Sequence, residues 1–154
     1  MAALGAAVNI VSTDGVAGRA GFTASAVCSV TDDPPTLLVC INRQSSSHSV
    51  VGANEVLCIN TLSGSQQELS TLFAGKSARG DRFGSGNWDV LATGAPALKG
   101  ALANFDCHVS DTVRQGTHDV FFCRVVSIRM AQLADHGSGL IYFKRNYHVL
   151  DVAP

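Results

Sequence analysis

The sequence predicts a mainly β domain closed into a barrel and carrying a few short helices. Strand-like runs, rich in β-branched and aromatic residues and broken by turn formers, outnumber helical ones. They do not alternate with helices in a regular β-α-β rhythm, which argues against a doubly wound nucleotide fold. The middle runs LLVCI and VLCI are apolar on both faces. Both of their sides must therefore be covered, as in a closed barrel whose outer wall meets a second subunit.

The elements follow in order. A strand is expected over 6–12, stopped by Asp14-Gly15. A second spans 20–31 up to the Asp32-Asp33-Pro34-Pro35 run, and a third covers 36–42. Ser45, Ser46 and Ser47 open a short helix that reaches about Ala53. After a strand over 55–61, a second helix follows Gly64 and includes Gln66, Gln67, Glu68, Leu69, Leu72 and Phe73, with apolar spacing of three and four. Residues 75–100, rich in Gly, Ser and Ala, read as a long surface excursion of the kind that is often functional. Strands over 102–113 and 117–130 flank Gly116. In the first of these Phe105, Cys107 and Val109 share one face, and Asp106, His108 and Ser110 the other. A strand over 138–143 and a short one over 146–150 end the chain. No repeat, low-complexity tract or linker interrupts it, so 1–154 is expected to be one domain.

Composition narrows the function. Eleven basic residues against twelve acidic ones leave a net charge of -1, which argues against a nucleic-acid binder. Charged residues make up only 15%, against about 25% in typical domains, and mean hydropathy is +0.20. Part of the surface should be covered by a partner or ligand, and a homo-oligomer is expected. No run approaches the roughly 18 apolar residues of a membrane helix. The opening MAALGAAVNIV lacks a basic leader region, so no signal peptide is expected. The five cysteines, odd in number and without C-x-x-C, point to neither a disulfide framework nor a metal site. They fit small buried apolar residues in a reducing cytoplasm.

Four stretches carry residues capable of chemistry. In GRAGFTASAVCSV the strand is built of small side chains at Thr23, Ala24, Ser25 and Ala26. Such a strand lets a flat group lie close to the backbone, whose N–H and C=O bond its edge; tight packing against a neighbouring strand is the alternative. In INRQSSSHSV a strand ends at Asn42, and Arg43 with Ser45, Ser46 and Ser47 follow at a helix start. A helix start suits a phosphate, and an N-cap beside a solvated arginine reads the same letters. In GTHD, His118 opens an apolar strand after Gly116, as a site histidine or as a hydrogen-bonded structural one. His48, His108, His136 and His148 show no pairing with a Cys, Ser or carboxylate at metal or triad spacing and are read as structural or surface residues. Within 75–100, Arg82 can reach a phosphate and Phe83 the edge of a ring; a hydrophobic clip with Trp88 is the alternative.

Taken together, GFTASAVCSVTDDPPTLLVCINR, GTHD and GLIYFKRNYH resemble the short-chain flavin reductase family, the small reductase components of two-component flavin-dependent monooxygenases. The resemblance runs from about Ala6 to His148. The first stretch leans toward the pyrimidine-utilisation members and the last toward the 4-hydroxyphenylacetate members. It implies an FMN-binding split barrel, a six-stranded Greek-key barrel that forms a homodimer with flavin near the interface. By position, Thr23, Ala24, Ser25 and Ala26 would face the isoalloxazine, and Asn42, Arg43, Ser45, Ser46 and Ser47 would surround the flavin phosphate. Asn60 would approach the ring or ribityl chain, and His118 the nicotinamide. The family usually writes the last motif G-D-H; here Thr117 stands in the Asp position and Asp119 follows the histidine. Relatives begin with a further helical segment before the first strand, so a shortened helix or an internal start is expected.

The chemistry implied is hydride transfer from C4 of a reduced nicotinamide to N5 of FMN or FAD, which needs orientation and no general base. NADH is expected over NADPH, because Arg79, Lys99, Arg114 and Lys144, the cations available for an extra phosphate, are scattered. Reduced flavin would pass to a separate monooxygenase. The alternative function is a flavin or electron carrier on the same barrel. A pyridoxamine-phosphate-oxidase-like or haem-utilisation barrel is less well matched, because only Arg43 stands near the phosphate stretch.

Overall fold

The computed structural model describes residues 1–75, 82–131 and 137–151. In chain order the elements are β1 (Ala6–Ala7), β2 (Asn9–Thr13), β3 (Ala20–Ala24), β4 (Val27–Asp32), β5 (Pro35–Asn42), α1 (His48–Asn54) and β6 (Val56–Thr61). A 3-10 turn (Gly64–Gln66) then runs into α2 (Gln67–Ala74). They continue with β7 (Trp88–Val90), β8 (Pro96–Leu98), β9 (Ala103–Gln115), β10 (His118–Met130), β11 (Gly139–Phe143) and β12 (Asn146–Leu150). The mainly β expectation holds. Seven strands form one sheet in the order β3-β2-β6-β9-β10-β5-β4, β1-β11-β12 form a second, and β7-β8 a third.

The order of the large sheet forces it to roll. Strands β3 and β4 are consecutive in the chain yet sit at opposite ends of the ladder. Ala24 and Val27 are three residues apart, a reach of at most about 10 Å. Seven strands laid flat would put the two ends roughly 29 Å apart. Only a sheet curled on itself satisfies both, and one buried cluster lies inside the curl. It draws Val11 from β2, Ala24 from β3, Ile41 from β5, Ile59 from β6, Cys107 from β9 and Phe121 from β10. Each buried Ile, Val or Phe of that cluster contributes about 1.5–3 kcal/mol. Burial also pushes the thiols of Cys58, Cys107 and Cys123 upward, that of Cys123 to about 12, so these residues act as apolar filling.

Three expected elements come out differently. The run 6–12 divides at Val8, because Val8 donates its N–H to the Leu140 carbonyl while its own carbonyl accepts from Leu62, so the chain changes sheets there. The run 20–31 divides at Ser25 and Ala26, where the chain crosses from one end of the large sheet to the other. The excursion 75–100 is not bare loop: 88–98 forms the β7-β8 hairpin, with Trp88 opposite Leu98.

Asn60 anchors that hairpin. It is fully buried on β6. Its amide oxygen accepts from Leu98 N (2.8 Å) and from Asn104 Nδ2 (2.7 Å). Its amide nitrogen donates to the Ile10 carbonyl (2.8 Å) and to Ser12 Oγ (2.9 Å). Arg129 extends the network by donating to Asn104 Oδ1 at 2.8 Å. The expected approach of Asn60 to a flavin ring is thereby corrected, because its hydrogen-bonding capacity is spent inside the protein. Replacing it strands several buried partners at once, each worth about 1–3 kcal/mol. Asn60→Ala should lower stability in urea unfolding by about 2 kcal/mol or more, and an unchanged unfolding midpoint would refute the anchoring role.

Candidate functional site

A cavity of about 600 Å³ opens where the rolled sheet closes. One wall is the β3-β4 corner, Phe22, Thr23, Ala24, Ser25 and Ala26; the other is the end of β5 and the turn after it, from Cys40 through Ser47 except Arg43. Each edge strand is paired on one side only, β3 with β2 and β4 with β5. The corner is therefore an edge of the ladder, with part of its backbone bonded from elsewhere: the Ala26 carbonyl accepts from Cys40 N at 3.0 Å and the Gly21 carbonyl from Arg82. Thr23, which lines the cavity, has its hydroxyl engaged with the Ser70 carbonyl on α2, to which it donates at 2.6 Å. The third wall is Phe73, Ala74, Gly75 and Arg82.

The serine turn is shaped by its own sequence. Asn42 Oδ1 accepts from Gln44 N at 2.9 Å, and Ser45 N returns to the Asn42 carbonyl at 2.9 Å. Ser47 caps α1 without a side-chain bond to the helix, and Ser45 Oγ accepts weakly from Ser47 N at 3.3 Å. The helix expected to open at Ser45–Ser47 begins at the end of that run, with Ser47 as its cap and His48 as its first residue, because Asn42 and Ser45 close turns of their own first.

Most of the sequence-predicted residues come together here. Thr23, Ala24, Ser25, Ala26, Asn42, Ser45, Ser46, Ser47 and Arg82 line one cavity, although the first and last of them are 59 positions apart. Arg82 is buried and donates to the carbonyls of Gly21 (3.0 Å), Phe73 (3.4 Å) and Gly75, stapling the end of α2 to β3 with its charge at the cavity wall. Arg43 is not in the wall. It turns away, giving its N–H to the Thr117 carbonyl and a guanidinium N–H to the Gly116 carbonyl at 3.2 Å. Phe83 is not in the wall either; it packs in an aromatic clip with Phe73 (5.2 Å) and Trp88 (4.9 Å). His118 lies exposed at the start of β10, its ring 2.9 Å from Thr117 Oγ1, and its register partner on β5 is Asn42. Arg79 and His136 lie outside the described residues.

Sequence reasoning missed two features. Gln44 and Cys40 line the cavity, the latter with its thiol pushed upward by burial and by Cys28. His48 is not unpaired: its Nε2 stands 2.7 Å from Asp119 Oδ2. A spacing of 71 residues left that pair no local signal.

A second cavity of about 480 Å³ shares Thr23 and Ser25 with the first. Its far side is Tyr142, Arg145, Asn146 and Tyr147, from the β11-β12 hairpin. Tyr147 is held by a 2.8 Å bond between its hydroxyl and Ser70 Oγ.

Residues 1–151 match the family described as the flavin reductase like domain. The chain belongs to this flavin reductase family. Among similar proteins, the FMN reductase (NADH) RutF of Bradyrhizobium diazoefficiens is 60% identical over 152 residues, spanning 99% of this chain and 83% of the relative. That of Stutzerimonas stutzeri is 53% identical over 150 residues, spanning 97% and 84%. Among solved structures, a Haemophilus somnus protein assigned as a flavin reductase superposes with a TM-score of 0.92 at 45% identity, spanning 97% of this chain and 94% of that one. BorF, the flavin reductase component of a bacterial two-component tryptophan halogenase, reaches 0.91 at 26% identity, over 99% and 94%. The split-barrel expectation stands with these neighbours.

One glycine of this flavin reductase is a steric requirement of the site. A Cβ on Gly21 would meet Phe73 at 2.8 Å and Phe83 at 2.9 Å, so both rings that brace the third wall would have to move. Gly21→Ala should therefore weaken FMN binding several-fold, at a stability cost of about 1–3 kcal/mol. Unchanged flavin fluorescence quenching by the variant would contradict this.

Proposed function

We propose that the protein is an NADH:flavin oxidoreductase that reduces FMN, or less readily FAD, and releases the reduced flavin to a separate flavin-dependent monooxygenase. The observation that carries this reading is the cavity at the sheet closure, with undersized side chains of two edge strands on one wall, serines on the other and a buried guanidinium on the third. That combination fits a flat heterocycle joined to a phosphate. The relatives bear the names FMN reductase and NADH, BorF is the flavin reductase component of a two-component halogenase, and a Pseudomonas putida neighbour is a styrene monooxygenase flavin reductase.

Bound flavin supplies the hydride acceptor. The chain's part is placement. Ala24, Ser25 and Ala26 admit the ring close to the backbone, and Phe22 and Phe73 keep water from it. Ser45, Ser46 and Ser47 offer donors to the phosphate, and Arg82 supplies positive charge. Cys40 stays a neutral thiol, held up by its burial. No carboxylate or histidine lines the cavity among the described residues, and hydride transfer requires none. His118 is assigned to nicotinamide contact at the rim, on the strength of its register with Asn42.

A homodimer in the cytoplasm completes the reading. Exposed apolar side chains at Val30, Val113, Val126, Ile128 and Met130 lie at the β9-β10-β5-β4 end of the sheet and favour a covering subunit. All five cysteines are free, as a reducing compartment requires. Among the described residues no helix is long and apolar enough to cross a membrane.

Mixing protein, NADH and free FMN should give steady loss of absorbance at 340 nm. Oxidation that stops after one equivalent would favour the carrier alternative. Flavin should be partly lost on gel filtration, and stoichiometric flavin surviving dialysis would count against a diffusible product. His118→Ala should raise the KM for NADH more than it lowers kcat; a kcat collapse with NADH affinity intact would make the positioning assignment wrong.

A further inference from the structure

The serine turn is tied at both ends to the same hairpin. At its start Arg43 N donates to the Thr117 carbonyl (3.0 Å) and Arg43 Nη2 to the Gly116 carbonyl (3.2 Å). At its end His48 Nε2 meets Asp119 Oδ2 at 2.7 Å. Everything between, Gln44 to Ser47, is cavity wall. The His48–Asp119 contact is well placed to act as a fixed strut. Asp119 faces Ile41 across the ladder and alternates with the buried Phe121 and Cys123, so its carboxylate points to the inner side of β10. The imidazole packs edge-on against Phe121 at 5.6 Å. Both side chains are mostly covered, at 21% and 15% exposure, where a hydrogen bond competes less with water than on an open surface. The other carboxylate oxygen, Oδ1, is buried and has no hydrogen-bond partner among the described residues, which leaves this carboxylate dependent on His48 there.

We propose that His48 and Asp119 are positioning residues for flavin phosphate. Their pair holds Ser45, Ser46 and Ser47 at the spacing the phosphate needs, and it keeps a mostly covered carboxylate partnered at the end of that turn. This rests on the reading of the cavity as a flavin site. Removing the histidine does two things, releasing the turn and uncovering the negative charge. Removing only the charge of the aspartate does one. The order of damage follows: His48→Ala should be worse than Asp119→Asn, and adding Asp119→Asn to His48→Ala should recover part of the loss.

The test compares FMN with riboflavin, which has the same ring and no phosphate. Affinity is read by flavin fluorescence for the wild type, H48A, H48Q, D119N and the double variant, with thermal melts run alongside. Through a coupled pair of this kind the expected loss of FMN affinity in H48A is about tenfold, while riboflavin affinity moves less than twofold. H48Q, which keeps a side-chain donor, should retain most of the FMN preference, and the double variant should bind FMN better than H48A. Parallel weakening of both ligands in H48A would make the pair a general fold contact and overturn the proposal. An unchanged FMN-to-riboflavin ratio in every variant would overturn it too. If the wild type itself holds the two ligands equally well, the phosphate reading of the serine turn falls, and the proposal falls with it.

Discussion

The structure depends on a constraint of reach. Two residues, Ser25 and Ala26, join the strands that end the seven-stranded ladder on either side. So short a connection pulls the sheet's ends together, and the curl that results encloses the core. It also leaves a place where the ladder has no next strand. A buried edge with unpaired amides and carbonyls is normally a cost. Here the gap is open to solvent and floored by small side chains, with the dimensions to admit something flat and polar at its rim. Fold closure and ligand seat arise from the same geometric demand.

The chemistry such a seat supports accounts for what the site lacks. Hydride moves between two heterocycles that carry their own reactivity, so the protein needs no acid, base or nucleophile. The titratable groups nearby are turned to structure. Arg82 staples α2 to β3, Arg43 ties a turn to a hairpin, and His48 pairs with Asp119. Precision in this enzyme is therefore mechanical, invested in where a few turns are held.

Much of the fold was readable before the structure, and the reasons for the failures are physical. Strands such as 36–42 and 117–130 declare themselves because β-branched and aromatic residues dominate them. The break at Ser25 and Ala26 does not, because a lone serine between alanines, with no Gly, Pro, Asn or Asp beside it, is a weak turn signal; tertiary closure imposes it. The β7-β8 hairpin was hidden because each strand has three residues and its fixing comes from Asn60, nearly forty positions away. That asparagine misled in turn: a polar residue ending an apolar strand looks the same whether it serves a ligand or a buried amide network. The small-residue stretch and the serine turn, which the structure brings to one cavity, stood out in the sequence because their composition is poor for a core and good for close approach. Arg43 shows the limit, since letters cannot say toward which side a guanidinium swings.

The turn between β11 and β12 carries a consequence of its own. Lys144 and Arg145 both adopt left-handed backbone angles, φ 48 and 64, in a two-residue connection that is ordinarily written Asn-Gly. Each non-glycine residue there costs on the order of 1 kcal/mol. Rewriting the pair as Asn-Gly would make a tighter hairpin and a hardier protein. It would also delete the cation bordering the smaller cavity. Engineers seeking thermotolerance would thus find their easiest gain at a spot that also shapes the wall of the smaller cavity.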